Sequence, residues 1–281
     1  MTYLIEHYDW WQGPLLSGIV VFLRYLLTAG PAFLILYVWY RSRFLSHKIQ
    51  ARFPGRKKIW MEIRHSAVTA LVFALMGVGI YGLRQAGWTQ IYEEIGDFGW
   101  GYLLGSVAGL ILLHDTYFYW MHRLMHHPRV FPFVHRVHHL SHNPTPWAAL
   151  SFHPLEAVLE IGIVPLAVIL FPIHPLALLL FASWSLLWNV LGHSGYEWFP
   201  SGFVRHPFGR WLNTPTHHNL HHQQAGYNFG LYFNFWDRLL GTNHPQYEER
   251  FEEICRKKNQ QDFDKNLAHH TTQSQNRCSL L

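Results

Sequence analysis

The sequence predicts an all-α, polytopic integral membrane protein with a histidine-rich metal site at one end of its helices. This prediction rests on the amino-acid composition and on the positions of the histidines. Hydrophobic residues make up 49% of the chain and charged residues only 14%, well below the roughly 25% charge of soluble domains. Sixteen of the 22 histidines lie between His114 and His222.

Apolar segments indicate about four membrane-spanning helices or helix hairpins. Runs with almost no charge occupy about 17–39, 67–83, 100–121, 155–171 and 174–192. The first three are long enough, or nearly so, to cross roughly 30 Å of hydrocarbon. Pro172 and Pro175 interrupt helical backbone between the last two, so we expect these arms to form a hairpin that starts and finishes on one side.

Basic residues predict the orientation in the membrane. They concentrate in the first loop, at Arg41, Arg43, Lys48, Arg52, Arg56, Lys57 and Lys58. The next loop has Arg84 against Glu93, Glu94 and Asp97, so the first loop should be cytoplasmic. If each later span crosses the membrane once and the hairpin returns to its starting side, every histidine group lies on the cytoplasmic side. The basic loop also accounts for the net charge of +5, and we expect no nucleic-acid partner.

We expect a single membrane-embedded domain over 1–250 and a polar, flexible tail over 251–281. The first residues lack the basic region of a cleaved signal peptide, so the first span should be retained. The only cysteines are Cys255 and Cys278, which excludes a disulfide framework or a thiolate metal site. The C-terminus from Cys278 formally fits a prenylation motif, but a polytopic protein gains little from another anchor.

Three groups of histidines are spaced as metal ligands. They are His122 with His126, His135 with His138 and His139, and His218 with His221 and His222. Octahedral iron takes six ligands and tetrahedral zinc four, so these groups suggest two metals sharing a site.

The groups differ in how they present ligands. We expect His122 and His126 to lie one turn apart on a helix that continues the third span, about 5–6 Å apart at Cβ. In each of the other groups, the first and fourth histidines should share a face, with the fifth turned about 100° away. Such a helix can give ligands to two neighbouring ions.

Several metal-enzyme classes are excluded. The only Glu-x-x-His is Glu62 to His65, so a carboxylate-rich di-iron bundle cannot be assembled. There is no His-Glu-x-x-His of zinc proteases and no glycine-rich dinucleotide fingerprint, so electrons would come from another protein. Candidate outer-shell carboxylates are Asp115, Glu156, Glu160 and Glu197.

Further motifs accompany the histidines. They are Pro144-Thr145-Pro146-Trp147, Phe152-His153-Pro154, His193-Ser194-Gly195-Tyr196, Tyr227-Asn228-Phe229-Gly230 and Trp236-Asp237-Arg238. Together with the histidine groups they resemble the fatty acid hydroxylase/sterol desaturase superfamily over roughly 100–245. The Pro-Thr-Pro and Phe-His-Pro segment is most similar to the C-5 sterol desaturases.

The resemblance implies a di-iron oxygenase with a cytoplasmic histidine cap, which activates O2 with electrons from a cytochrome b5-type or ferredoxin-type donor. The ligands it implies are His122, His126, His135, His138, His139, His193, His218, His221 and His222, with no catalytic residue beyond them. Some members have a further histidine where this chain has Asn189, which suggests a water held by the amide. His153, His217 and Asp115 are possible ligands or supporting residues.

The leading hypothesis is therefore an O2-dependent, sterol desaturase-like di-iron lipid oxidase in a bacterial inner membrane or the endoplasmic reticulum. It would introduce a double bond or a hydroxyl at an unactivated C–H bond of a membrane lipid. A fatty acyl or carotenoid hydroxylase of the same superfamily shares the metal chemistry. A non-catalytic metal transporter or store is the alternative from another class, but transporters place ligands within spans near the midplane.

Overall fold

The computed structural model of this protein describes residues 12–260. These residues form helices, turns and three isolated β-bridges, with no extended strand among them. The α-helices are α1 (Gln12–Phe33), α2 (Arg56–Gln85), α3 (Gly99–Met125), α4 (Phe131–Val134), α5 (Arg136–His139), α6 (Pro154–Ile161), α7 (Ile163–Leu170), α8 (Pro175–Gly192), α9 (Pro215–Gln223), α10 (Phe235–Leu239) and α11 (247–260). The all-α prediction is confirmed for this part of the chain.

Three helices are long and apolar enough to cross a membrane. They are α1 with its π-helical continuation (Leu16–Trp39), α2 and α8. Helix α3 has 27 residues, but its glycines, its aromatic residues and the pair His114 and Asp115 make it less apolar, and it is not among the three. The described residues thus supply three candidate spans, and the fourth stays a prediction.

The predicted hairpin is present, but its first arm is broken. Helices α6 and α7 have eight residues each and meet at Gly162, where a Cβ would lie 3.0 Å from the Tyr117 hydroxyl. The turn between α7 and α8 packs against the loop that joins α2 to α3. There, Ile173 pairs with Ile91 and the Gln90 amide donates to the Val168 carbonyl at 2.8 Å.

The basic loop lies at the opposite end, against the histidine segments. The Ile49 amide donates to the Gly195 carbonyl at 3.0 Å, and Lys58 donates to the Leu140 carbonyl. Gln50 donates to the His142 carbonyl and to Asn219, each at 2.9 Å. The loop and the histidine groups therefore share one end of the molecule, whereas the side of the membrane that this end faces stays a prediction.

Buried contacts between α1 and α2 fix the turn that leads into the metal-binding end. The Trp147 carbonyl accepts from the Tyr25 hydroxyl at 2.7 Å and from the Ser66 hydroxyl at 3.0 Å. Trp147 packs on a cluster that includes Tyr25 and Phe152. The Pro-Thr-Pro-Trp motif is thus clamped between the first two long helices.

The start of the predicted tail differs from expectation. Residues 251–260 continue α11, and Phe251 is fully buried in a cluster with Val204, Leu220 and Tyr247. The segment is polar overall, but its few apolar residues, Phe251, Ile254 and Cys255, lie on one side of the helix and are buried. The remainder of the predicted tail, with Cys278 and the prenylation motif, and the N-terminal residues 1–11 lie outside the described residues.

Candidate metal centre

The histidines expected as ligands converge and form two groups. The five-histidine group contains His122, His126, His135, His139 and His221, and the four-histidine group contains His138, His193, His218 and His222. Within each group, one nitrogen from every imidazole lies within 4.8 Å of those of all the others. All nine side chains are buried except that of His126, which is partly exposed.

The Nε2 atoms of the five-histidine group face one another. His122 Nε2 lies 3.0 Å from that of His135 and 3.3 Å from that of His126. His221 Nε2 lies 3.1 Å from that of His126 and 3.0 Å from that of His139. Five Nε2 atoms thus surround one point.

The four-histidine group has the same arrangement around His193. Its Nε2 lies 2.9 Å from that of His218, 3.1 Å from that of His222 and 3.3 Å from that of His138. His222 Nε2 also lies 3.1 Å from that of His218.

The opposite ring nitrogens set the tautomer of four of these imidazoles. Nδ1 donates to a backbone carbonyl in His122 (Phe229, 2.8 Å), His138 (Ser151, 3.3 Å), His193 (Asn189, 2.7 Å) and His221 (Tyr227, 2.6 Å). Because a carbonyl oxygen only accepts, Nδ1 carries the proton and Nε2 presents a lone pair. Lone pairs about 3 Å apart repel one another, and a cation between them converts that repulsion into attraction.

The spacing fits metal coordination. At metal–nitrogen distances of about 2.1 Å, neighbouring ligands lie roughly 3.0 Å apart in octahedral and roughly 3.4 Å apart in tetrahedral geometry. The observed separations of 2.9–3.3 Å fall across this range. Imidazole donors suit iron, zinc, copper and nickel, so the residues fit a pair of transition-metal ions.

The geometric expectation for the five-residue motifs was wrong in one respect. The first and fifth histidines serve the same group, as His135 with His139 and His218 with His222 do, and the fourth serves the other group. On an α-helix the first and fifth residues differ by about 40° and the first and fourth by about 60° in the opposite sense. Each motif does contribute to both histidine groups, but the pairing within the motif differs from the expectation. That the groups hold two metals stays a prediction.

Local capping explains why α9 starts at the right place to present its histidines. Pro215 occupies the first turn, and the Thr214 hydroxyl accepts from the His217 amide at 3.3 Å. The buried carboxylate of Glu197 accepts from the amide and the hydroxyl of Thr216 at 3.0 and 2.6 Å. These contacts satisfy amides that a helix N-terminus leaves without intrahelical partners.

Burial keeps the three ligand-spaced imidazoles of α9 neutral. Burial first, and then the neighbouring histidines, hold the pKa of His218 and of His222 well below the usual value. His221 behaves in the same way. Ligation requires neutral imidazole, so the folded protein presents these residues in the form that a metal binds.

The loop over 227–230 supplies acceptor carbonyls to the five-histidine group, and Asp237 holds it. The Asp237 carboxylate accepts from the Phe229 and Gly230 amides at 2.9 and 2.7 Å, and from the Thr242 hydroxyl at 2.7 Å. A Cβ on Gly230 would lie 2.9 Å from the same carboxylate, so this close approach requires glycine. Asp237 lies within one of the sequence motifs, but its identity there does not reveal that it holds this loop.

The four possible supporting residues lie around the groups and not within them. The Asp115 carboxylate accepts from the amides of Tyr232 and Phe233, and His153 caps α6 by accepting from the Leu155 amide. His217 is fully buried, with its Nε2 3.4 Å from an Asp237 oxygen. The Asn189 carbonyl orients His193, as described above, and its side chain lines a cavity.

Of the carboxylates that were expected to support the ligand histidines, Glu156 contacts one of them directly. Its Oε1 lies 2.7 Å from His135 Nδ1, and both side chains are buried. Glu197 acts on α9 as described, and no hydrogen bond joins Glu160 to the histidines of either group.

A largely apolar cavity of about 500 Å³ leads away from the histidines. It begins at Phe152, Asn189 and Leu231 and extends to Arg84 and Ile91 near the α2–α3 loop. Its size is typical of sites for small molecules, and its wall is built from the long helices. A lipid placed in it would have one end beside the metal centre.

Comparisons with known proteins agree with the family resemblance. Residues 107–242 match the family model described as fatty acid hydroxylase. Lathosterol oxidase of Rattus norvegicus is 31% identical, over 68% of this chain and 63% of that protein. A Delta(7)-sterol 5(6)-desaturase of Aspergillus fumigatus is 30% identical, over 73% of this chain and 65% of the relative. Lathosterol oxidase of Mus musculus is 34% identical, over 60% and 56% respectively.

The chain spans about three fifths of the length of these curated relatives. No solved structure matches it with significance. The resemblance inferred from the motifs is nevertheless confirmed, since the matched residues include both histidine groups. Through residues 107–242, the chain belongs to the fatty acid hydroxylase family.

Proposed function

We propose that this protein is an O2-dependent di-iron lipid oxidase of the sterol desaturase type. The observation that carries the proposal is the pair of Nε2 clusters at the end of a lipid-sized apolar cavity. The relatives named lathosterol oxidase and Delta(7)-sterol 5(6)-desaturase favour a sterol as the lipid and desaturation as the reaction.

In this proposal the two histidine groups hold two iron ions, which supply O2 activation when bound. Desaturation removes two hydrogens from adjacent carbons of the lipid. Four electrons reduce O2 to two waters, and the two that do not come from the lipid come from a cytochrome b5-type or ferredoxin-type protein. The cavity binds and orients the lipid, and its apolar wall excludes bulk water from the reacting end.

The carbonyl and carboxylate acceptors on Nδ1 hold five of the nine imidazoles, those of His122, His135, His138, His193 and His221, in the tautomer that ligates through Nε2. The same contacts fix the ring orientations, so the metals would be held at a set distance from the lipid. A transport function is disfavoured, because the histidines gather at one end of the helices and do not line a path across them.

Single turnover tests the proposal. Purified, iron-loaded protein would receive a chemical reductant, O2 and either a Delta(7)-sterol, a saturated acyl lipid or a carotenoid, with products identified by mass spectrometry. We expect the sterol to lose two hydrogens while the other lipids remain unchanged. A hydroxylated acyl lipid or carotenoid in place of the sterol product would overturn the sterol assignment.

A matched pair of histidine variants controls this experiment. His222→Ala removes a member of the four-histidine group and should abolish turnover. His206→Ala removes an exposed histidine that belongs to neither group and should leave turnover unchanged.

A further inference from the structure

The cavity wall contains an acidic side chain that the protein itself does not satisfy. Glu160 lines the cavity, and no described residue donates a hydrogen bond to its carboxylate or forms an ion pair with it. The nearby Tyr117 hydroxyl donates to the Leu159 carbonyl at 2.6 Å. Of the arginines that line the cavity, Arg24 bonds Ser183 and Arg84 bonds Glu93.

A carboxyl group in such surroundings is costly unless it meets a partner. Burying a polar group without a hydrogen-bond partner is unfavourable, and ionisable residues within membrane segments mark substrate sites by default. Glu160 lies on α6 among the apolar residues Ile161, Ile163 and Val164, which line the same cavity. Its free acceptor is therefore directed to whatever the cavity binds.

The position of Glu160 relative to the metal centre is set by α6. One turn earlier on the same helix, Glu156 contacts His135 of the five-histidine group. At 1.5 Å per residue, Glu160 is about 6 Å further along the helix axis. The polar groups of Asn189 and Ser185 also line the cavity, one and two turns before His193 on α8. The metal-proximal part of the cavity thus has polar groups from Glu160, Ser185 and Asn189, whereas the arginines of the wall are bonded to Ser183 and Glu93.

We propose that Glu160 accepts a hydrogen bond from the hydroxyl group of the lipid substrate and so determines which end of the lipid enters first. The hydroxyl end would lie near the metals and the apolar end would extend toward Ile91. This inference rests on the proposed function and adds the specificity-determining residue. In a 3-hydroxysterol the hydroxyl-bearing carbon is two bonds from ring carbon 5, so a hydroxyl held by Glu160 keeps ring carbons 5 and 6 close to the metals.

The same geometry predicts discrimination. A hydrocarbon lipid would leave the Glu160 carboxyl unpaired in the filled cavity, and sites built to bond a hydroxyl reject analogues that lack it. An acyl chain whose polar group is far from the reacting carbon would also fail to place that carbon at the metals while bonding Glu160.

Comparing the binding affinities of two probes tests the inference. Iron-loaded protein in detergent would be titrated with a Delta(7) 3-hydroxysterol and with its 3-deoxy analogue, and iron per chain would be measured in each sample. We expect the wild-type protein to bind the alcohol about ten- to a hundredfold more tightly. Glu160→Leu should bind both probes equally, and Glu160→Gln, which keeps an acceptor oxygen, should retain part of the preference.

The control is Glu94→Gln, which changes an exposed glutamate at the far end and should keep the full preference. Iron content should be the same in all four proteins, since Glu160 contacts no ligand histidine. A preference that persists in Glu160→Leu, or that is absent from the wild type, would overturn this inference while leaving sterol oxidation standing. Failure of the wild type to bind either probe would overturn the inference and the sterol assignment together.

Discussion

At the scale of single residues, the acceptors behind the imidazoles decide what the centre can bind. Each Nδ1 that donates to a carbonyl commits the other ring nitrogen to the metal side. Glu156 differs from the backbone acceptors because it places a carboxylate on His135, where it increases the basicity of the imidazole. Its Oε2 has no hydrogen-bond partner among the described residues, and its Oε1 contacts that histidine.

We predict that Glu156→Gln weakens iron binding by about ten- to a hundredfold, as is usual when an outer-shell partner is removed. The amide keeps the volume of the side chain but cannot provide the negative charge. Iron affinity, measured by competition with a chelator, checks this. Glu249→Gln, outside the centre, serves as the control, and an unchanged affinity for Glu156→Gln would show that His135 does not depend on the carboxylate.

At the scale of elements, α9 is the clearest case in which sequence and structure agree. His218, His221 and His222 were recognised from their spacing alone, and all three are brought to the centre. The partition between groups was not predictable from spacing, because it depends on where α3, α5 and α8 place their own histidines. The loop over 227–230 was recognisable as a motif, but carbonyl acceptors such as those of Tyr227 and Phe229 leave no signal in side-chain identity.

The depressed pKa values of His218, His221 and His222 predict that the metal-free protein is labile to acid. Below about pH 6.5 the unfolded chain binds protons that the folded α9 cannot, so the free energy of unfolding falls as the pH decreases. Above that pH neither state is protonated and this contribution to stability is fully present.

The melting temperature of chelator-treated protein, followed from about pH 7.5 to about pH 5, measures this effect. We expect a steep decline on acidification, and a shallower one for His222→Asn, which removes one of the buried imidazoles. A melting temperature that is constant or rises over this interval would contradict the burial argument.

The loop held by Asp237 gives a prediction about stability. Burial alone would raise the pKa of Asp237, but His217 and the hydrogen bonds from Thr242 and Gly230 lower it to about 2. The carboxylate is therefore charged at neutral pH. Asp237→Asn should lower the free energy of unfolding by about 1–3 kcal/mol, because hydrogen bonds to a buried charge are lost.

Denaturant titration with Asp97→Asn as the exposed control would check the prediction for Asp237. We also expect Asp237→Asn to release iron more readily, since the Phe229 carbonyl that orients His122 moves with the loop. Equal stability of the two variants would show that the loop is held by other contacts.

At the scale of the whole molecule, the two ends have distinct compositions and distinct contacts. The basic loop lies on the histidine end, and the hairpin turn with Ile173 lies on the other, against the α2–α3 loop. The sequence predicted this arrangement. Basic residues mark the first loop, and the prolines between the last two apolar runs indicate a hairpin whose two arms start and finish at the same end. The break at Gly162 was not predicted, since it results from the close approach of Tyr117 on a distant helix.

Cysteine accessibility tests the orientation. In a background with Cys255→Ala and Cys278→Ala, the exposed positions Lys57 and Glu94 would be changed separately to cysteine. We expect an impermeant thiol reagent to label Lys57→Cys only from the cytoplasmic face and Glu94→Cys only from the other. Labelling of both from the same face would contradict the predicted crossings.

The central claim is that the two histidine groups hold two iron ions, and metal stoichiometry tests it most directly. Iron per chain would be measured by elemental analysis for the wild type, for His221→Ala and His222→Ala, and for His127→Ala, an exposed neighbour of His126. We expect about two irons in the wild type and in His127→Ala, and about one in each of the group variants, which disrupt different sites. A wild type without iron after iron-replete preparation at neutral pH, or variants that retain two, would contradict the account.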